Sequence, residues 1–542
     1  MTDKERAVEL VQAACTSMNT ADSSTTSYDE VLYPPAVHVH THPDRFATVG
    51  TLRGMRPAPV DHCRVLELGC GVGSNLIAIA FNYPGSEFLG LDLARRPIAT
   101  GQDSIAELGL KNIRLCHLDV CAANKERFGF FDYIIAHGLY SWVPPTVRKH
   151  ILAVCRDMLG PQGIAYINYN AYPGNHLREL ARGIIRFHVG QFESPSEKIR
   201  QARAILNFLA ESTPVPDAYI TALRSEFDRV AKYKDEAFFH DDLSEINQSF
   251  YFHEFISDAE RHGLQFLGES SPNEVDPERV TAEVVSKLNE LEGSSEIVRE
   301  QYKDFVRGCG FRRTLLCHKE VQIASSNIPE RVSELYVSLD ALPVQSAGDC
   351  KATVFRRPNG AELETAHPLV APTLKYICAE WPRAVSFSEL LDHGKASTAS
   401  NAATTSFGNH TAWLAEALLS AYKGGLLQLH VAPRLVVNKV SEYPISSALA
   451  RFQLKRSEYA TSQLHKLVRL DDPLSRQLVQ LLDGTRNHQA IIQALLASIR
   501  SGQVELYENG AVLTDPDLIS DAVERRFPEV LRALAREGLL VG

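Results

Sequence analysis

The chain has 542 residues, more than one hydrophobic core organises, and its length predicts about three domains. Hydrophobic residues make up 44% and charged residues 23%, the balance of a soluble globular protein. The net charge of -10 disfavours a broad nucleic-acid footprint. No long apolar run is present, so neither a signal peptide nor membrane insertion is expected. Ten cysteines without a C-x-x-C pair indicate no zinc knuckle or redox motif, and they read as reduced thiols of a cytoplasmic protein.

In chain order, residues 5–20 carry a helical apolar pattern (Ala7, Val8, Leu10, Val11, Ala14), broken by residues 21–27. Tyr28–Pro35 is expected to be extended, since proline restrains its neighbours. His42-Pro43-Asp44-Arg45 starts a helix running to Gly54, with Phe46, Val49 and Leu52 on one face. Strands over 64–68, 87–91, 113–118, 131–136 and 163–169 then alternate with helices over 74–82, 95–108 and 146–159. This alternation predicts an α/β fold with a parallel, doubly wound sheet. Residues 175–245 are mainly helical, with a break at Pro214 and Pro216. Phe252–Glu269 reads as helix, glycine stop at Gly263, then strand. Thr314–His318 is a candidate closing antiparallel strand, and residues 333–356 look like strands. Residues 395–408 read as a flexible small-residue loop. Two helices, Thr411–Ala421 and Val523–Ala535, each run into Gly-Leu-Leu. These units resemble the helix and wing of a winged helix, or else they are two unrelated helix–strand joints.

The richest stretch is Val65-Leu66-Glu67-Leu68-Gly69-Cys70-Gly71-Val72-Gly73-Ser74-Asn75, a buried strand, a glycine turn and a helix start. Glycine permits left-handed backbone and close approach of a ligand, and the helix start offers unpaired N–H groups. Spacing excludes two common readings. The chain lacks the G-x-G-x-x-G of dinucleotide binders, and no Gly-Lys-Ser/Thr of a P-loop follows. The pattern E-x-G-x-G-x-G resembles motif I of class I S-adenosylmethionine-dependent methyltransferases.

Ligands of doubly wound sheets sit at the carboxyl ends of the strands. At these ends Glu67, Gly69, Gly71 and Gly73 form the turn, with Asn75 at the helix start. Asp92, followed by Leu93, is placed to accept the ribose hydroxyls. Asp119 would accept from an adenine amino group, and the Val120 N–H would answer a ring nitrogen. After the fourth strand, His137 and Gly138 reach the donor, and His137 is a candidate to orient or deprotonate the nucleophile. Tyr140 and Trp142 are candidates for lining an alkylammonium channel, the alternative being core packing. Asn168, Asn170 and Tyr172 offer polar groups after the fifth strand. Tyr28 and His42 are further acceptor-side candidates, Tyr28 on a lid segment. His38, His40 and His42 share one face of an extended chain, but no nearby Cys or carboxylate pattern supports a metal, and none is expected.

Several longer phrases carry a narrower resemblance. They include Ser27–Val31, Thr41–Arg45, Leu66–Gly73, His137-Gly138-Leu139-Tyr140-Ser141-Trp142-Val143-Pro144, Tyr169–Gly174, Phe239-His240-Asp241-Asp242-Leu243 and Phe250–Phe255. On these, the chain resembles the rickettsial-type protein lysine methyltransferases. The resemblance implies a class I methyltransferase core at 44–172 and 250–320, preceded by an N-terminal helix and lid at 1–43. A helical insertion at 173–249 would serve as lid, dimerisation and regulatory region, and 321–542 would form a C-terminal α+β domain with winged-helix-like units. It further implies S-adenosylmethionine as donor, S-adenosylhomocysteine as product, a protein or peptide lysine as acceptor, and a homodimer. Two other functions stay open on the residues alone. One is methylation of a small metabolite or modified peptide; the other is a non-catalytic S-adenosylmethionine-binding regulator.

Overall fold

The structure is a computed structural model that describes residues 26–212, 217–271, 282–290, 295–345, 352–399, 409–508 and 511–542. The expected helix over 5–20, the break at Pro214 and Pro216, and the loop over 400–408 lie outside these residues.

A seven-stranded sheet organises the first part of the chain. Its strands are β1 (Arg64–Leu68), β2 (Glu87–Asp92), β3 (Ile113–His117), β4 (Phe131–Ala136), β5 (Leu159–Asn170), β6 (Leu264–Glu269) and β7 (Phe311–His318). Their order is β3-β2-β1-β4-β5-β7-β6. The first five pair in parallel, and β7 runs antiparallel between β5 and β6. This is the sheet that the class I resemblance implies, with Thr314–His318 as its antiparallel strand. Strand β5 begins four residues earlier than the apolar pattern predicts, through an irregular register beside Phe131 and Tyr133.

Apolar residues on both faces explain why the sheet is covered twice. Leu66, Leu68, Ile134 and Ile167 face one core, while Val65, Tyr133, Ile135 and Tyr166 face the other. Parallel strands buried on both sides read as such continuous apolar runs. Helix α1 (Ser27–Glu30) corrects one expectation: the segment from Tyr28 opens with a helical turn rather than extended chain. Thr26 and Asp29 cap each other's backbone there and hold the turn. Helix α2 (Pro43–Leu52) starts where predicted, with His42 as its N-cap.

Helices α3 (Asn175–Val189), α4 (Pro195–Glu211), α5 (Ala218–Ala231) and α6 (Asp235–Asp242) follow β5. They share a small core of Ile185, Leu206, Val230 and Phe238. Beyond the sheet, residues 332–431 enclose a third core, and residues 450–540 a fourth. A second correction concerns 395–408: a helix spans Phe387–Ala399, because Leu390, Leu391, Lys395 and Ala396 favour helix, and the Ser397 hydroxyl is satisfied on the His393 carbonyl. A third concerns the cysteines. Cys63, Cys70, Cys121, Cys155, Cys309, Cys317 and Cys378 are free, but Cys116 is disulfide-bonded. No described helix is long and apolar enough to cross a membrane.

Candidate active site

The glycine turn is held open by its own backbone. Gly69, Gly71 and Gly73 have φ of +72°, +55° and +70°, which any side chain would make strained. A Cβ on Gly71 would meet nothing within 4 Å, so the turn presents main chain to a ligand. Asp92, at the end of β2, braces it: Oδ2 accepts from the Gly71 N–H at 2.7 Å and Oδ1 from the Ala94 N–H at 2.8 Å. Burial raises its carboxyl above the ordinary range, against these two bonds. Each carboxylate oxygen keeps a further lone pair for a ribose hydroxyl.

Glu67 lies beneath the turn, 4% exposed. Its Oε1 accepts from the Asn75 Nδ2 at 3.0 Å, and its Oε2 is buried without a partner. Burial pushes its carboxyl up to about 8, the Asn75 bond pulls it down, and the Asp92 charge adds to the rise. An orphan carboxylate oxygen of this kind fits the amino group of a bound amino-acid moiety. Asn75 does not cap the helix, whose N-cap is Gly73. Its Oδ1 instead accepts from the His38 N–H, the Thr41 hydroxyl and the His465 Nε2, at 3.1, 3.0 and 2.9 Å.

At the end of β3, Asp119 is exposed and its Oδ1 accepts from the Cys121 N–H at 2.8 Å, capping a short turn that begins at Val120. Leu93 is 53% exposed beside Asp92. After β4, the Gly138 N–H donates to Asn168 Oδ1 at 2.7 Å. That bond fixes the amide, so Asn168 Nδ2 donates to His137 Nδ1 at 3.1 Å. Burial holds the ring well below its ordinary pKa, and the His38 ring stacks on it at 3.9 Å. A neutral ring with Nδ1 accepting carries its proton on Nε2, so His137 presents an N–H there.

The structure distributes the acceptor-side candidates unevenly. Tyr140 is 1% exposed and sits in the core against Phe250, Phe255 and Tyr169, not in a channel. Trp142 is half-buried with the Arg178 guanidinium 5.9 Å from its ring centroid. Asn170 is buried, and its Nδ2 donates to Asn247 at 2.7 Å. Tyr172 turns to a separate groove lined by Tyr251, Glu254 and Arg261, with its hydroxyl on Glu179. His42 caps α2 and meets His465 edge-on at 5.3 Å, away from a substrate role. Its imidazole is pushed down to about 4 by burial. The imidazoles of His38, His40 and His42 meet different partners, the His137 ring, the Ser271 hydroxyl and the Asp44 N–H, and do not converge. Among the described residues no group of His, Cys, Asp or Glu is placed to hold a metal.

Tyr28 finds partners that sequence reasoning missed. Its ring stacks on His240 of α6 at 4.2 Å, and Tyr33 tilts against the same imidazole at 5.8 Å. His240 Nε2 donates to the Val31 carbonyl at 2.7 Å, tying lid to insertion. Next to it, Asp241 takes a hydrogen bond from Tyr33, and burial raises its carboxyl to about 6. Tyr28 feels both Asp241 and Asp92, so the lid lies between the ribose acid and α6. The His240-Asp241-Asp242 run thus closes α6 with His240 and Asp242 buried. Asp242 is fully buried, bridging Arg178 and Arg229.

Comparison with known proteins matches this architecture in three blocks. A methyltransferase domain family model covers residues 66–165, a predicted methyltransferase regulatory domain 234–318, and a PKMT C-terminal winged helix domain 442–539. An uncharacterized protein of Rickettsia prowazekii, RP028, is 39% identical over 244 residues, 44% of this chain and 96% of that protein. A second, RP789, is 29% identical over 95% of this chain and 93% of its own length. The structure of PKMT2 from Rickettsia typhi, in complex with AdoHcy, superposes with a TM-score of 0.82 at 27% identity, covering 94% of this chain and all of that one. The chain belongs to the rickettsial-type protein lysine methyltransferase family. It is a class I S-adenosylmethionine-dependent methyltransferase with a regulatory domain and a C-terminal winged-helix domain. The regulatory match takes in α6, β6 and β7 of this methyltransferase, so part of the sheet is shared with it. The first helix–Gly-Leu-Leu unit, at 411–427, lies outside the winged-helix match, and the second lies within it.

Proposed function

We propose that this methyltransferase modifies lysine side chains of a protein. The observation that carries the reading is the cluster of Tyr28, Tyr33 and Asp241, within reach of the Asp92 charge. A carboxylate flanked by phenol rings suits an alkylammonium, through charge and through the ring faces. Tyr28 and Tyr33 are 37% and 40% exposed, so the mouth is open to a side chain carried on a macromolecule. A pocket for a small metabolite would be closed over.

S-adenosylmethionine supplies a methyl group on a sulfonium for in-line displacement. The residues that would hold it are Glu67, the Gly69–Gly73 turn, Asp92 with Leu93, Asp119 with Val120, and Gly138. Asp241 receives the ammonium and orients it, while Trp142 and Asn170 border its path. His137, neutral, offers an Nε2–H to fix the approach of the acceptor. The amine sheds its proton to water at the mouth, helped by desolvation among the rings.

Transfer of radiolabelled methyl from S-adenosylmethionine into cell lysate, resolved by size and hydrolysed to amino acids, tests the acceptor. Label in methyllysine of protein bands is expected; label confined to small molecules overturns the reading. Asp241→Asn should raise KM for the labelled protein at least tenfold and leave the Kd for S-adenosylhomocysteine within twofold. Wild-type kcat/KM should fall as pH drops through about 6, because Asp241 then protonates, and the variant should lose that fall. The family reading further implies a homodimer, which sedimentation at micromolar concentration tests, a monomer overturning it.

A further inference from the structure

The winged-helix domain reaches the helix behind the donor turn through His465, which meets Asn75. Strands Tyr459–Thr461 and Leu467–Arg469 form a hairpin, and His465 lies in its connecting turn. The turn is anchored on its own domain: the Gln463 N–H donates to the Gly538 carbonyl at 2.8 Å, and a Cβ on Gly538 would stand 2.8 Å from Leu464 Cγ. His465 is 3% exposed, wedged between the hairpin and the methyltransferase core. It is the one non-glycine among the described residues with positive φ, +54°, a backbone that side chains adopt at a cost.

The hydrogen bonds say what this strain obtains. Asn75 Nδ2 donates to Glu67, so Asn75 Oδ1 is an acceptor and His465 Nε2 must donate to it. Its Nδ1 is then a buried lone pair without a hydrogen-bond partner. An apolar side chain would fill the same space without that defect, so the contribution of histidine is the Nε2–H. The His38 N–H and the His465 Nε2–H converge on Asn75 Oδ1, beside the Thr41 hydroxyl, whose single proton also has the His38 carbonyl within 2.8 Å. Rotating the amide by half a turn would aim its NH2 group at the His38 N–H, which can only donate. The amide is thereby locked with Nδ2 on Glu67 Oε1, which leaves Glu67 Oε2 unpartnered for the donor's amino group.

We infer that the C-terminal winged-helix domain completes the donor site, with His465 as a positioning residue that holds Glu67 through Asn75. Grip on the methionine end of the donor is then set by docking of a domain whose sequence lies some four hundred residues downstream of the glycine turn. This does not depend on the identity of the acceptor. His465 needs no contact with the donor, and the adenosine end, held by Asp92 and Asp119, is independent of it.

Calorimetric titration of the full chain with S-adenosylhomocysteine and, separately, with adenosine tests the inference. His465→Ala should raise the Kd for S-adenosylhomocysteine about tenfold and leave that for adenosine within twofold. Asn75→Ala should act in the same way, and the double variant should bind no more weakly than Asn75→Ala alone, as expected for two members of one relay. Equal weakening of both ligands, additive effects, or an unchanged Kd for S-adenosylhomocysteine would overturn it. A second measurement on the wild-type protein holds even where the variants fold poorly. Adding S-adenosylhomocysteine should slow amide hydrogen exchange across residues 459–469, and unchanged exchange there overturns the inference as well.

Discussion

The two sides of the cleft are built from different materials. The donor side is main chain: three left-handed glycines within five residues, braced by Asp92 and backed by Glu67. The proposed acceptor side is side chain: Tyr28 and Tyr33 from the lid, Trp142 after β4, Asn170 after β5, and Asp241 from α6. Backbone geometry fixes one ligand shape and resists substitution. A ring-and-carboxylate pocket gathered from separate segments adjusts residue by residue without disturbing the sheet. The donor side is therefore the half in which substitution strains the backbone, and the proposed acceptor side the half that can be retuned.

The largest test of that contrast is Asp92→Ala. It removes the acceptor of two backbone N–H groups as well as the ribose partner, each charge-assisted bond being worth about 1.5–3 kcal/mol. The Kd for S-adenosylhomocysteine should rise about a hundredfold by calorimetry; a change under threefold would mean that the turn stands without its brace. Gly101→Ala comes next. Its new Cβ would stand 2.5 Å from the Val72 carbonyl oxygen, backbone of the donor turn itself. A loss of about 1–3 kcal/mol in denaturant unfolding is expected. An unchanged midpoint would show that the turn yields, against its proposed rigidity.

Glu67→Gln sharpens the contrast through pH. Glu67 has a folded pKa near 8, above its unfolded value, so its contribution to stability is lost as pH rises from the ordinary carboxyl range through about 8. In donor-free protein the variant should therefore gain in Tm over wild type as pH rises, by about 2 °C for each kcal/mol recovered, with no gain below pH 4. A difference that stays flat with pH would place Glu67 in water. The smallest effect belongs to Arg456→Ala. Arg456 and Glu107 bridge the winged-helix domain to the helix Arg95–Leu108 on an exposed surface, and such pairs contribute little. Differential scanning should find no change in Tm; a clear drop would show that the surface, and not the buried His465 contact, docks the domain.

The same division governs what could be read from the chain alone. The strands, the glycine turn and Asp92 are local patterns, and the parallel part of the sheet follows from them, while the antiparallel β7 came with the class I resemblance. His137 was visible as a position, but its tautomer was not, because Asn168 and Gly138 decide it across two strands. Tyr140 occupies the loop after β4 as foreseen, yet the neighbouring rings of Phe250 and Phe255 draw it into the core. Asp241 belongs to no local motif, since its partners Tyr28 and Tyr33 lie some two hundred residues away. His465 belongs to no motif, and only the docking of domains gives it a role.

Strand β7 lies between β5 and β6 but is the last of the seven to be synthesised. While a ribosome is still working through residues 175–310, β5 has no neighbour on its far side. A twelve-residue strand with a long apolar inner stretch is then an open edge. The nascent chain must shield that edge, through its own helices or a chaperone, until residue 318 has left the exit tunnel. A polypeptide stopped at residue 310 should therefore self-associate on size-exclusion chromatography, and a monodisperse fragment would show that the helices alone cover the gap.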